Sequence, residues 1–180
     1  MTREELLAQY AAGERDFQGV LLQYISLDGV QLEGVNFTGA IFNSVSFNTA
    51  FVDCEDVSKG FSETIFIECN FSYSEWWFCH IPKLARCNLQ YAVTEGCLFL
   101  GKFIKCDWRS SHFIGAFYDD VVFEECDLRE IRTTKKSYPM FLFDPIPESG
   151  FMYKNTFDKD EVFRSGIHCN LPDPDDPIPF

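Results

Sequence analysis

Apolar residues recur every five positions through most of the chain, and this period restricts the fold more than any other feature of the sequence. In the first unbroken run the residues at successive steps of five are Phe17, Leu22, Leu27, Leu32, Phe37, Phe42, Phe47, Val52 and Val57. A second apolar or small residue stands two positions before most of them. An α-helix repeats every 3.6 residues, so a stripe of period five would wind around it instead of forming one apolar face. The period therefore excludes an amphipathic helix.

The same frame continues to residue 131 with three short steps. It advances by four residues to Phe61, by three to Leu84 and by four to Phe103, and Thr94 is out of pattern. Side chains two residues apart in an extended segment share a face, so each pentad can form one side of a coil and a corner. Four such sides would close a square coil, and successive coils would stack about 4.8 Å apart through parallel strand pairing.

The five-residue unit resembles that of the pentapeptide-repeat proteins, in which a small residue, Asn or Asp, Leu or Phe, a polar residue and often Gly follow one another. It occurs here as VNFTG, CNFSY, CNLQY, CDWRS and CDLRE. The resemblance covers roughly two thirds of the chain. It implies an all-β fold, a right-handed quadrilateral parallel β-helix, with about six coils in this repeat segment. The N-terminal stretch ELLAQYAAGERDF is similar to the opening of cyanobacterial members of the family.

Three segments are expected along the chain. Residues 1–14 form a short α-helical cap, because Thr2 and Glu5 have the spacing of a capping box and both ends of a solenoid need covering. Residues 15–131 form the β-helix. Residues 132–180 lack the repeat, and we expect an irregular segment that packs on the last coil and ends in the acidic, Pro-rich tail LPDPDDPIPF. The alternative for this C-terminal segment is a dimer contact.

Net charge and hydropathy restrict the partners. The formal net charge is −13, and residues 16–131 carry seventeen acidic against seven basic residues. This balance argues against direct nucleic-acid binding, which requires cations to neutralise phosphates, and it leaves basic protein surfaces as partners. No apolar run reaches the length of a signal peptide or a membrane span, so we expect a soluble, cytoplasmic protein with no membrane contact.

The positions of the cysteines favour packing over chemistry. Six of the eight stand at the small inward position of a pentad: Cys69, Cys79, Cys87, Cys97, Cys106 and Cys126. Free cysteine packs as a small hydrophobe, and a cytoplasmic compartment keeps thiols reduced. His80 and His168 adjoin cysteines, but neighbours in an extended segment face opposite sides and are poorly placed to bind one zinc ion. We therefore predict no metal site and no cofactor.

Acidic residues near the end of the repeat segment form the first candidate interaction surface. Asp107 and Asp127 are twenty residues, one expected coil, apart. The acidic residues that flank this pair are Asp119, Asp120, Glu124 and Glu125. One hypothesis is an acidic stripe on which a partner docks. The other is a solvated face, since the outward positions of any solenoid must be polar.

The stretch SEWWFCHIPKL, residues 74–84, is the least regular part of the repeat. Trp76 takes the inward place, so Trp77 should point outward, with Phe78 and His80 nearby. One interpretation is a loop at one corner of the coil. The other is an interaction hot spot centred on Trp77.

These features predict a binding protein and not an enzyme. The sequence shows no P-loop, no dinucleotide-binding glycine motif and no recognisable catalytic triad. We expect a non-catalytic scaffold of unknown physiological role, monomeric or dimeric through the C-terminal segment, that binds an unidentified protein through the outer faces of a rigid acidic solenoid. The family resemblance implies an alternative, because some acidic members imitate duplex DNA and bind a type II topoisomerase, gyrase.

Overall fold

The computed structural model describes residues 1–48, 64–78, 80–81, 83–134, 151–158 and 161–170. Its helix α1 spans Arg3–Ala11 and begins with the predicted capping box. The Thr2 hydroxyl accepts a hydrogen bond from the backbone N–H of Glu5, and the Glu5 carboxylate accepts a hydrogen bond from the backbone N–H of Thr2. Leu6 is fully buried on the apolar core. The helix thus covers one end of the repeat segment. No helix in the described part of the chain is long and apolar enough to cross a membrane.

Short strands make up the remainder of the described fold. In chain order they are β1 (Leu21–Gln23), β2 (Ile41–Asn43), β3 (Ser46–Asn48), β4 (Phe66–Ile67), β5 (Glu75–Trp77), β6 (His80–Ile81), β7 (Leu84–Ala85), β8 (Val93–Glu95), β9 (Leu98–Ile104), β10 (His112–Ile114), β11 (Phe117–Glu124), β12 (Arg132–Thr134), β13 (Phe151–Phe157) and β14 (Phe163–Asn170). All pair in parallel except β13 with β14. One sheet has the order β3, β5, β8, β10, β12 and another the order β4, β7, β9, β11, β13, β14. Apart from β14, which folds back on β13, each strand therefore lies against a strand of a neighbouring coil, as the β-helix prediction requires.

The register shows how many residues each coil uses. Along one column of paired residues the chain passes from Leu21 to residues 41, 70, 88, 107 and 127, which makes five turns. Residues 21–127 therefore make five turns, in agreement with the prediction of about six coils over residues 15–131. The turn from Ile41 to Asn70 spans 29 residues in place of 20. The turns that end at Asn88 and Asp107 use 18 and 19 residues. These shorter turns contain the three-residue and four-residue steps of the sequence frame.

Left-handed backbone at every fifth residue produces the corners. In one complete coil the corner residues are Gly29, Gly34, Gly39 and Ser44, with φ of 68°, 66°, 72° and 53°. Each follows an inward apolar residue by two positions. Many later corners carry residues other than glycine, among them Tyr73 at φ 59°. A left-handed residue reverses the local twist of the chain, so one such residue per pentad turns the backbone four times in each coil.

The inward residues stack from coil to coil and fill the interior. Three of the nearly parallel ring pairs are Phe37 on Phe66 at 5.5 Å, Phe42 on Phe71 at 4.7 Å and Phe47 on Trp76 at 4.0 Å between centroids. Thr94, the polar residue in the frame, takes its inward place and is also fully buried. The repeated use of phenylalanine follows from this packing, because equivalent positions in neighbouring coils require side chains of the same shape.

The C-terminal segment corrects one expectation. Its described part is not irregular. It consists of β12, which pairs in parallel with β10, and of a β-hairpin in which β13 pairs in parallel with β11 and antiparallel with β14. Tyr153 packs on the core and Asn155 has a φ of 49°, so residues 153–155 reproduce the inward residue and corner of a pentad. Phe157 pairs with Asp127 and adds a seventh residue to the column. The Pro-rich tail lies outside the described residues.

Candidate functional site

Four cysteines form a buried column on one inner edge of the solenoid. Cys69, Cys87, Cys106 and Cys126 occupy the same inward position in consecutive coils and are at most 4% exposed. Their thiols donate hydrogen bonds to backbone carbonyls, as in Cys69 to Phe37 at 2.9 Å. A hydrogen bond with the neighbouring thiol and burial both raise the pKa of Cys69, which keeps its thiol protonated. Cys79 lies outside the described residues, and the described part of the chain contains no cluster of three metal-binding side chains.

Asp107 and Asp127 lie in register on neighbouring coils, but arginines separate them. The Nη2 atom of Arg109 lies 2.6 Å from Asp107 and its Nε atom lies 3.5 Å from Asp127. Arg129 binds Asp127 at 2.6 Å, and Gln90 donates a hydrogen bond to Asp107 at 2.5 Å. Burial raises the pKa of the Asp107 carboxyl, but hydrogen bonds from Arg109 and Gln90 outweigh this effect and hold the pKa below its ordinary value. This column is therefore a ladder of alternating charges.

The flanking glutamates are paired in the same way. Glu124 binds Lys154 at 2.8 Å and lies 4.0 Å from Lys102, and Glu125 binds Lys105 at 3.2 Å. Asp119 and Asp120 belong to β11 at an irregularity of its pairing with β9, and the structure does not describe their side chains. Four of the six predicted acidic residues thus face a cation, so this surface presents much less negative potential than a count of its carboxylates suggests.

The stretch around Trp77 is a strand at the predicted hot spot. In β5, Glu75 and Trp77 point outward and Trp76 points into the core, and the Trp77 side chain is 42% exposed. Phe78 is a half-buried corner residue with a φ of 49°. His80 pairs through its backbone with β9, and its side chain and Pro82 lie outside the described features. The structure therefore places Trp77 at the surface, beside Glu75 on one face.

The sequence prediction missed a column of tyrosines at the corner that precedes β5. The backbone N–H groups of Tyr24, Tyr73 and Tyr91 each donate to a carbonyl of the following coil, so the three residues share one corner column. Their side chains are 78%, 55% and 49% exposed. Tyr73 and Tyr91, on adjacent coils, stack at 5.0 Å between ring centroids with an angle of 8°. The pentads CNFSY and CNLQY, which end in tyrosine where the repeat unit often has glycine, carried the signal.

A shallow groove interrupts this column where serine replaces tyrosine. Ser44 occupies the corner between Tyr24 and Tyr73, because its N–H donates to the carbonyl of Ser72 in the next coil. The groove has a volume of about 370 Å³, and its lining consists of Tyr24, Ile25, Ser44, Val45, Ser46, Tyr73 and Glu75. We call the outward side chains of Tyr24, Tyr73, Tyr91, Glu75 and Trp77 the aromatic corner. It combines exposed rings with a carboxylate that pairs with no cation among the described residues.

Comparison with known proteins agrees with the repeat pattern. Residues 16–51 match the family model for pentapeptide repeats in eight copies. A search of curated proteins gave no match. A similar solved structure is HetL, a pentapeptide-repeat protein involved in heterocyst differentiation regulation in the cyanobacterium Nostoc sp. strain PCC 7120, with 13% identity, coverage of 91% of this chain and 100% of that one, and a TM-score of 0.29.

Two further solved structures share this low similarity. Rfr23, a pentapeptide-repeat protein from the cyanobacterium Cyanothece 51142, is 14% identical, with coverage of 78% of this chain and 98% of that one and a TM-score of 0.30. QnrB1, a plasmid-mediated fluoroquinolone resistance protein, is 15% identical, with coverage of 77% of this chain and 53% of that one and a TM-score of 0.28.

Proposed function

We propose that this pentapeptide-repeat protein is a non-catalytic scaffold that binds a partner protein through its aromatic corner. The observation that supports this function most strongly is the group of exposed tyrosines in one corner column, together with the exposed Trp77 on β5, the strand that follows Tyr73. Tyrosine and tryptophan are the residue types most enriched at the energetic centres of protein interfaces. Isolated exposed apolar residues are ordinary, but three exposed tyrosines in one corner column, with an exposed tryptophan on the strand that follows, are a candidate contact.

The scaffold favours binding without rearrangement. Backbone hydrogen bonds to the next coil fix the corner residues, such as Tyr73 to Gln90 at 3.1 Å and Tyr91 to Arg109 at 3.2 Å. Stacking of Tyr73 on Tyr91 restricts both rings before a partner arrives. A surface ordered in advance loses little conformational entropy on association, so more of the contact energy contributes to affinity.

Charge indicates a basic partner. The protein carries a formal net charge of −13, and Glu75 supplies a local carboxylate within the aromatic corner. A long-range negative field accelerates the encounter with a positively charged surface, and the aromatic contacts then slow its dissociation. Binding is therefore expected to weaken as ionic strength rises, through the association rate.

Imitation of DNA is the less well supported candidate. A DNA mimic needs carboxylates free to replace phosphates, whereas Asp107, Asp127, Glu124 and Glu125 lie beside basic side chains. Addition of the protein to a gyrase supercoiling reaction separates the two functions. The scaffold function predicts neither inhibition nor protection from inhibitors at micromolar protein concentration, and either effect would favour the mimic.

Partner capture tests the scaffold function directly. The wild-type protein, the double variant Tyr73→Ala and Trp77→Ala, and the control Ile65→Ala are immobilised in equal amounts and exposed to a native extract. Ile65 is 46% exposed and lies outside the aromatic corner. We expect proteins captured by the wild type and the control to be lost from the double variant, with far-ultraviolet circular dichroism unchanged. Equal capture by all three forms would contradict the proposed site, and no specific capture by the wild type would contradict the function.

A further inference from the structure

We propose that the gap above Ser44, between Tyr24 and Tyr73, binds the guanidinium group of an arginine side chain on the partner. This inference rests on the proposed function and specifies the chemistry of the contact. Of the four corner residues from Tyr24 to Tyr91 in this column, only Ser44 lacks a ring, and the groove lies at that position. The gap is therefore a defined feature of the coil and not a general property of the surface.

The spacing of the coils gives the gap its size. Tyr24 and Tyr73 are two coils apart, which is about 9.5 Å for parallel strand spacing. A cation midway between their rings would lie about 5 Å from each, within the distance of about 6 Å at which cation–π attraction operates. A neutral aromatic ring would fit the same space, because Tyr73 and Tyr91 themselves stack at 5.0 Å between ring centroids. The spacing therefore admits a flat group of either kind, and the charge of the surrounding groups selects a cation.

The charge and order of the surrounding groups agree with this choice. Glu75 lines the same groove and contributes a carboxylate that can pair with the bound cation. Tyr73 is supported on its other face by Tyr91 at 5.0 Å, so its ring is held for face-on contact. The open face of the tyrosine stack attracts a positive group through the quadrupole of the ring, and the nearby carboxylate attracts it through its negative charge.

Guanidinium fits the gap better than ammonium. It is flat, so it stacks on a ring face, and it is more weakly hydrated than the ammonium group of lysine, so it loses less on leaving water. The guanidinium group also donates its hydrogen bonds in its own plane, so it can bind the Glu75 carboxylate while its two faces contact the tyrosine rings. Arginine is accordingly the partner residue that the groove would select.

The test is an NMR titration of the full protein, with ¹³C-labelled tyrosine rings, using N-acetyl-arginine amide as the probe. N-acetyl-citrulline amide, which has the same shape without the charge, is the matched control ligand. We expect the ring signals of Tyr24 and Tyr73 to shift with the arginine probe, with affinity roughly tenfold higher than for the citrulline probe, the ratio that two exposed cation–π contacts supply. Equal affinities, or shifts confined to other tyrosines, would overturn the proposal.

Two variants at one position make the test specific. Ser44→Tyr fills the gap and suits the corner, because Ser44 and Tyr24 both have a φ of 53°. Ser44→Ala leaves the gap open. We expect the first variant to abolish the arginine-dependent shifts and the second to keep them, and shifts that persist in Ser44→Tyr would overturn the site.

Partner capture distinguishes failure of this site from failure of the scaffold function. Capture that Ser44→Tyr leaves unchanged, but that the Tyr73→Ala and Trp77→Ala double variant loses, would remove the arginine site and leave the proposed function in place. Absence of any partner for the wild type would remove the proposed function, while the response of the gap to the arginine probe would still be measured.

Discussion

Phe42 and Ile41 are adjacent in sequence, yet their replacement should have very different consequences. Phe42 is fully buried, and Ile41 is 37% exposed on the outer side of the same strand. The Phe42 ring contacts four others, those of Phe37, Phe47, Phe66 and Phe71, at 4.7 to 5.9 Å between centroids. Phe42→Ala thus removes a complete ring from a filled column, and truncations of this kind cost about 4 kcal/mol in the free energy of unfolding.

Ile41→Ala is the matched control, with an expected cost of about 1 kcal/mol because its side chain remains partly in water. Urea unfolding followed by circular dichroism measures both costs, and thermal unfolding should show a midpoint for Phe42→Ala about 10 °C below that of the wild type. The difference between the two variants depends on inward and outward residues alternating within the pentad. Equal losses for the two variants, or a loss below about 1 kcal/mol for Phe42→Ala, would refute this assignment.

Three further predictions concern the ion pairs, the corners and the thiols. The pKa of Asp107 is depressed, so its pairing with Arg109 stabilises the protein fully above the unfolded-state pKa, and this stabilisation is lost as pH falls through the folded-state pKa. The thermal midpoint of Asp107→Asn should therefore fall less between pH 6 and 3 than that of the wild type. An identical pH profile for the two proteins would contradict this role. Gly34→Val should lower the free energy of unfolding by about 1 to 2 kcal/mol and Gly34→Asn by less, because φ is 66° and an added Cβ meets no atom within 4 Å. Equal losses for the two variants in urea unfolding would argue against conformational strain at this corner. The buried cysteines are Cys69, Cys87, Cys97, Cys106 and Cys126. Peptide mass spectrometry after iodoacetamide treatment should find them labelled in urea and protected in the native protein. Rapid labelling of the native protein would contradict their burial.

The sequence predicted the repeat and the inward residues well, because every coil tests the same pattern again. It predicted the lengths of individual coils less well, because 29 residues separate Ile41 from its partner Asn70 and a period alone does not show where the chain departs from it. The hairpin was missed for a related reason. Among the residues that the structure describes after β12, one pentad, centred on Tyr153, continues the frame, and one unit cannot be distinguished from chance.

The candidate surfaces show the same limit. Trp77 could be placed outside because Trp76 takes the inward position, an inference that needs only alternation. The pairing of Asp107 with Arg109, and of Asp127 with Arg129, depends on side-chain conformations that a count of charges does not contain. The tyrosine column was not predicted because the corner position carries many residue types, so tyrosines at this position do not form a periodic signal in the sequence.

Site-specific photo-crosslinking in a native extract tests the central claim, binding through the aromatic corner, most directly. A benzoylphenylalanine residue replaces Tyr91 in one sample and Ile104 in another; both side chains are exposed, and Ile104 belongs to β9 in a different sheet from β5. If the account is correct, irradiation gives a discrete cross-linked partner from position 91 and none from position 104. A discrete partner from position 104, with none from position 91, would contradict it.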